Sequence, residues 1–494
     1  MPMLPIDLQK LVGQFIYQPD QPMIFNSGFF LFLFTGFLFT YYLLSDTTRP
    51  KLIFVILFSF YFYYKSSGIY FLVLASCTLM DFQLAKVIQD ASRPSLKKFL
   101  LLVSLSVNLS LLAYFKYTNF LFDLFNGLAG GPDRSFDIFL PVGISFFTFQ
   151  SLSYTLDVYR GNLKATDSIL DYAFYLSFFP QLVAGPIVRA ADFLPQIRKP
   201  VLVTDAMMGK GIFLIVTGLF KKAVISNYIS LNFVDRVFDA PALYSGLENL
   251  VAVYGYALQI YCDFSGYSDM AIGIALLLGF HFNINFNSPY RSLNITEFWR
   301  RWHISLSSWL RDYLYISLGG NRKGKWRTYL NLMITMLLGG LWHGASLRFV
   351  LWGGLHGAAL AVHKIYSDVK NKTVVEPGAI WKFSGWLFTF HFVCLCWIFF
   401  RANDSATAFQ MIGQIFGSFS WSVLPEFIEG YRWVLLLMLF GYVLHFLPEP
   451  FERRAESLVI SMPLAGKLVL MVAAIILVIQ TKSAGIQPFI YFQF

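Results

Sequence analysis

The stretch LGGLWHGASL, Leu338 to Leu347, sets a histidine inside an apolar run with no flanking charge. Gly339, Gly340 and Gly344 surround His343. An ionisable side chain in a membrane-length apolar segment is costly, and marks a functional site by default. A neutral imidazole takes a proton from a hydroxyl as that hydroxyl attacks a carbonyl. A dry site strengthens any dipole aimed at the developing oxyanion. The glycines leave room beside the ring for a ligand. They also form small-xxx-small spacings, Gly340 with Gly344 and Gly353 with Gly357, that let helices approach closely. A hydrogen-bonded packing histidine fits the same position, and the residues alone leave both readings open.

The other six histidines are 281, 303, 356, 363, 391 and 445. His363 and His445 lie near the ends of apolar runs and read as interface or capping residues. His391, deep in a run, reads as a ring bonded to a backbone carbonyl. His281, in GFHFNINFNSPY, reads as structural. Asp157, Asp263 and Asp269 lie in or near apolar runs, where they suit either a proton or ion path or bonds to hydroxyls and helix ends. No Gly-x-Ser-x-Gly elbow, complete Walker loop or His-Glu-x-x-His occurs. Cys-x-x-Cys is absent too, so no metal is expected. The four cysteines read as packing residues, with Cys394 and Cys396 on different faces of one helix.

These residues need a scaffold, and the composition says which. Of 494 residues, 56% are hydrophobic, 19% aromatic and only 13% charged. A soluble domain carries about 25% charged residues. Low charge with repeated long apolar runs predicts an all-α polytopic membrane protein. The net charge of +10 would suggest nucleic acid in a soluble protein. Here it fits basic cytoplasmic loops, and no nucleic-acid partner is expected. The first 23 residues lack the pattern of a signal peptide, so Ile24–Leu44 is expected to be a retained span.

Further candidate spans lie near 51–64, 69–88, 98–117, 138–158, 168–184, 211–230, 248–279, 328–345, 347–366, 381–402, 431–448 and 464–480. With re-entrant pieces allowed, about 11 to 13 membrane helices are expected, in one integral membrane domain over residues 1–494. Basic residues cluster at Arg49 and Lys51, at Lys86, Arg93, Lys97 and Lys98, and most strongly from Arg291 to Arg327. The positive-inside tendency puts these clusters on the cytoplasmic side and the N-terminus outside.

Within the last cluster, Asn294 and Glu297 have capping-box spacing. Ile295, Trp299, Trp302, Leu306, Trp309 and Tyr313 then recur every three or four residues. That period predicts one amphipathic helix over 295–314, lying at the cytoplasmic interface. Arg300, Ser307 and Arg311 line an adjacent stripe. At about 100° per residue, His303 falls near the apolar stripe, facing protein or a cavity.

AGPIVR at 184–189, YCDFSGYSDMAIG at 261–273, NFNSPYRSLNITEFWRRWHISLSSWLRDYLYISLGGNR at 285–322 and LLGGLWHGASLRFVLWGGLHG at 337–357 are ordered, long blocks. On them the chain resembles the membrane-bound O-acyltransferase family, in its alginate O-acetyltransferase membrane-subunit type. The specific part covers about 140–365. The resemblance implies a helical core around a central tunnel and a catalytic histidine at His343, in the Trp-His-Gly block. It implies a second at His303, orienting His343 or the substrate; His356 receives no role. It also implies an acyl group drawn from a cytoplasmic thioester, with acetyl-CoA the donor and no resident cofactor. The group would pass toward an extracytoplasmic polysaccharide, by way of a periplasmic partner protein, in the bacterial inner membrane. Arg300, Arg311, Arg322 and Lys323 suit the phosphates of CoA or, equally, lipid headgroups.

Two alternatives compete. One is transfer of D-alanine or another acyl unit from a carrier protein to a cell-wall polymer. The other is a proton-coupled transporter, which predicts repeated halves with matching broken helices; the sequence displays no such symmetry.

Overall fold

The structure is a computed structural model that describes residues 8–19, 21–44, 48–130, 135–200, 202–370 and 378–481. Every regular element among the described residues is helical. The chain divides into two compact units. The first is chiefly Met1–Gly211 with Met270–Phe282, and the second Ile212–Asp269 with Asn283–Ser483.

The first unit contains α1 (Gly28–Leu43), α2 (Thr48–Ser67), α3 (Phe71–Asp90), α4 (Pro94–Leu112) and α5 (Ile144–Arg160). Ser27 starts α1 by accepting the Phe30 N–H on its hydroxyl at 3.2 Å. Pro94 opens α4, where its missing N–H does no harm. Phe30, Phe34 and Phe37 line one face of α1 and all meet the Phe179 ring. Asp81 on α3 is fully buried. It accepts from Ser104 at 2.7 Å, from Asn108 at 2.9 Å and from Ser151, so its carboxyl is held by hydrogen bonds rather than by a cation.

Five segments among the described residues are long and apolar enough to cross a membrane: Arg49–Asp90, Pro94–Ala129, Asp205–Asp239, Ala379–Arg401 and Leu424–Phe446. A sixth is the pair Glu449–Ser461 and Leu464–Gln480, bent by 119°, if it counts as one broken span. The about 11 to 13 membrane helices expected from apolar runs include short and re-entrant pieces that are not long straight spans. The runs are real, but many are not long straight helices. Ile24–Leu44 yields the 16-residue α1. Run 168–184 breaks at Phe178, ahead of Pro180, into Ile169–Ser177 and Phe179–Leu182. Run 248–279 lies, as far as Leu277, in one 32-residue helix that carries Glu248, Asp263 and Asp269.

The second unit holds α6 (Gly246–Leu277, as far as Asp269), α7 (Ile295–Arg301), α8 (Ile304–Trp309), α9 (Lys325–His343), α10 (Leu347–Lys370), α11 (Ala379–Arg401) and α12 (Leu424–Phe446). Helices α9 and α10 form an antiparallel hairpin closed at Gly344–Ser346. A Cβ on Gly340 would strike the Phe349 carbonyl, and one on Gly353 the Met336 carbonyl. One on Gly344 would strike the Phe349 ring. The small-residue spacing therefore serves backbone contact. At these three glycines the space a side chain would take is occupied by the hairpin itself.

Two of the intramembrane aspartates have lysine partners. Asp263 forms a buried ion pair with Lys222, and Asp269 is ion-paired with Lys221 at 2.7 Å. All four cysteines are buried free thiols, matching the packing role.

The capping box is present. Asn294 Oδ1 accepts the Glu297 N–H at 2.8 Å, and Glu297 accepts the Leu293 N–H at 2.9 Å. The single amphipathic helix over 295–314 is not. The chain breaks after Arg301, and His303 takes the left-handed conformation at φ 43°. Ile295, Trp299, Trp302, Leu306, Trp309 and Tyr313 are all buried, as the stripe requires, but in protein rather than at an interface. Interface character appears instead at the start of α9, where Trp326 is 87% exposed between Lys325 and Arg327.

Candidate active site

His343 is the last residue of α9 and is buried. Its ring stands among Trp342 at 5.0 Å, Trp352 at 5.0 Å and Phe400 at 5.3 Å between centroids, each nearly edge-on. Trp352 comes from α10 and Phe400 from the end of α11. Arg348 fixes that end by donating to the carbonyls of Phe400 at 2.7 Å and Ala402 at 2.5 Å. A basic side chain is well placed there, since the last helical carbonyls lack partners. The histidine is thus clamped by three helices inside an aromatic wall.

His303 is reached through the break between α7 and α8. The break is held by main-chain bonds: Ile304 N–H to Asn285 O at 2.9 Å, and Asn287 N–H to Arg301 O at 2.9 Å. The Asn285 side chain completes it. Its Oδ1 accepts from the Ser305 N–H at 3.1 Å and the Ser305 hydroxyl at 2.9 Å, and faces His303 Nδ1 at 3.2 Å. A backbone N–H can only donate, so the atom facing it is the amide oxygen. His303 Nδ1 therefore carries the proton, and Nε2 holds the lone pair of the neutral ring. The ring is fully buried, which pushes its pKa down to about 3. A left-handed non-glycine residue held this firmly is a feature that clusters at functional sites.

Both histidines adjoin Trp342, whose ring lies 6.3 Å from His303 and 5.0 Å from His343. Two residues 40 positions apart in sequence are thereby brought to one indole. Sequence reasoning missed Asn285, because nothing in NFNSPY marks it as the partner of a distant helix break. Trp352 was quoted in its block without a role, and its helical position alone does not say that it meets His343.

The remaining histidines sort plainly. His391 bonds the Leu387 carbonyl at 2.8 Å as expected, and also Tyr254 at 2.9 Å. His281 is bracketed by the Gln196 amide through its main chain. His445 is buried rather than interfacial, with Nε2 accepting the Tyr290 N–H at 3.2 Å. His363 and Asp368 have the His, four residues, Asp spacing of soluble acyltransferases. Here His363 bonds Thr296 at 2.8 Å and Asp368 pairs with Lys364 at 2.7 Å. Arg300, Arg311, Arg322 and Lys323 are exposed, whereas His303 and His343 are buried; Arg311 pairs with its neighbour Asp312 at 2.6 Å.

Comparison with known proteins now adds to the geometry. A probable alginate O-acetylase, AlgI, of Pseudomonas putida is 38% identical over 96% of this chain and 100% of its own length. A peptidoglycan O-acetyltransferase of Helicobacter pylori is 37% identical over 80% of each chain. A teichoic acid D-alanyltransferase of Bacillus subtilis is 29% identical over 53% of this chain and 69% of its own. The model of the membrane-bound O-acyltransferase family matches residues 15–403, a span that includes Asn285, His303, His343 and Trp352. With its long apolar helices and its buried histidines, the chain belongs to the membrane-bound O-acyltransferase family and is a multi-pass membrane O-acyltransferase.

Proposed function

We propose that this enzyme takes acetyl from acetyl-CoA on the cytoplasmic side of the bacterial inner membrane and passes it toward O-acetylation of an extracytoplasmic polysaccharide. A periplasmic partner protein would carry the acetyl group onward to the polymer. The observation that carries the reading is His343, buried at the tip of the α9–α10 hairpin with His303 across Trp342. His343 acts as general base on the attacking hydroxyl, and His303 orients it or the substrate. The relatives named for alginate and peptidoglycan acetylation cover four fifths or more of the chain, which favours acetyl over D-alanyl transfer. Arg300, Arg311, Arg322 and Lys323 remain donor-phosphate candidates.

The test is purified protein in detergent with radiolabelled acetyl-CoA and a small alcohol as the hydroxyl acceptor, standing in for the partner's hydroxyl. Release of CoA thiol with label in an ester is expected. Label transfer only from a D-alanyl carrier protein would move the assignment to cell-wall alanylation. No thioester turnover with either donor would overturn the reading and leave the transporter alternative.

Asn285 offers a second test. Asn285→Leu removes the oxygen that holds His303, and misplacement of a catalytic group costs about a hundredfold in rate. Asn285→Asp keeps an acceptor there and should retain most activity. Equal activity of wild type and Asn285→Leu would show that the orientation of His303 does not matter.

A further inference from the structure

The WGGLHG block carries two side chains that the proposed mechanism does not yet use. Trp352 and His356 lie four residues apart on α10, and so on one face of that helix. Both are fully buried, and their rings are 4.7 Å apart. Trp299 on α7 donates its indole N–H to His356 Nδ1 at 3.3 Å. An indole nitrogen only donates, so His356 Nδ1 is an acceptor and the proton of the neutral ring sits on Nε2. His356 Nε2 has no hydrogen-bond partner among the described residues, and neither has Trp352 Nε1. Two adjacent buried N–H donors are thus left without acceptors, although buried donors are nearly always satisfied. A bound acceptor oxygen would satisfy both donors at once. Trp352 also stands against His343, which places the pair beside the proposed base.

We propose that Trp352 Nε1–H and His356 Nε2–H bind the carbonyl oxygen of the acyl group in transit. This rests on the assignment of His343 as the site of transfer. The acceptor hydroxyl oxygen bonds to the thioester carbon while its proton passes to His343. The carbonyl electron pair moves onto the oxygen held by the two donors. Collapse of that intermediate restores the C=O bond and breaks the C–S bond. The thiolate leaves with the proton from His343, giving an ester and free CoA thiol. Donors aimed at an oxygen that gains charge only in the transition state raise kcat more than they tighten binding. His356 is in this reading the opposite of His303: one presents an N–H, the other a lone pair.

The experiment uses the purified full chain, acetyl-CoA and the same alcohol acceptor, with thermal melting beside each rate. Trp352→Phe keeps a ring and deletes the N–H. His356→Leu deletes a donor, and His356→Gln returns an amide N–H. Trp352→Phe and His356→Leu should each lower kcat by about 10²–10³-fold. KM for acetyl-CoA should stay within about threefold, with His356→Gln at least about tenfold faster than His356→Leu. If Trp352→Phe does not fold, the two His356 variants decide alone. Rates within about threefold of wild type in the folded variants would overturn the proposal, as would His356→Gln being no better than His356→Leu. Wild-type transfer that His343→Ala abolishes but these variants spare overturns this proposal only. No transfer by wild type overturns it together with the functional reading.

Discussion

Replacing His343 with glutamine or alanine should lower acetyl transfer by about 10²–10⁴-fold, the usual worth of a positioned general base. Glutamine is the sharper probe. It nearly fills the space among Trp342, Trp352 and Phe400, so the aromatic wall that clamps the ring is expected to survive. Alanine leaves a cavity there and lowers the melting temperature somewhat. A large rate loss in His343→Gln with a melt like wild type assigns the ring to chemistry. Retained transfer in that variant would reduce His343 to a packing residue and make His303, with its Nε2 lone pair, the next candidate.

The second large effect is on stability. Lys222 and Asp263 form an ion pair in which both side chains are almost wholly buried. Removing one partner strands the other charge, which costs about 3–5 kcal/mol in buried pairs. Asp263→Leu alone should therefore melt well below wild type in detergent and lose activity with the fold. Lys222→Met with Asp263→Leu replaces both charges by apolar side chains, and such replacements are often neutral. The double variant should recover most of the melting temperature. If Asp263→Leu melts like wild type, the pair does not hold the unit together. If the double variant folds but stays inactive, the charges matter to transfer and not only to folding.

These two residue sets also mark what the sequence could say. His343 was visible because an imidazole in an apolar run violates a local rule. The burial of Trp299, Trp302, Leu306, Trp309 and Tyr313 was visible through their spacing. The start of α7 was visible through Asn294 and Glu297. The break at His303 was not. WRRWHIS contains no glycine or proline, and the break depends on Asn285, 18 residues earlier, satisfying the freed groups. The Lys222–Asp263 pair bridges 41 residues, so nothing near Asp263 in the sequence pointed to its lysine. The glycines beside His343 were read correctly as enabling close approach, but what approaches is the backbone of α10. Local burial and helix capping were legible; which distant partner completes them was not.

The hairpin that ends at His343 has one more consequence. Its two helices touch backbone to backbone through Gly340 and Gly353, and only Gly344–Ser346 joins them. On the proposal that His343 is the base, a ring clamped at this tip works as an anvil, and both reactants must travel to it.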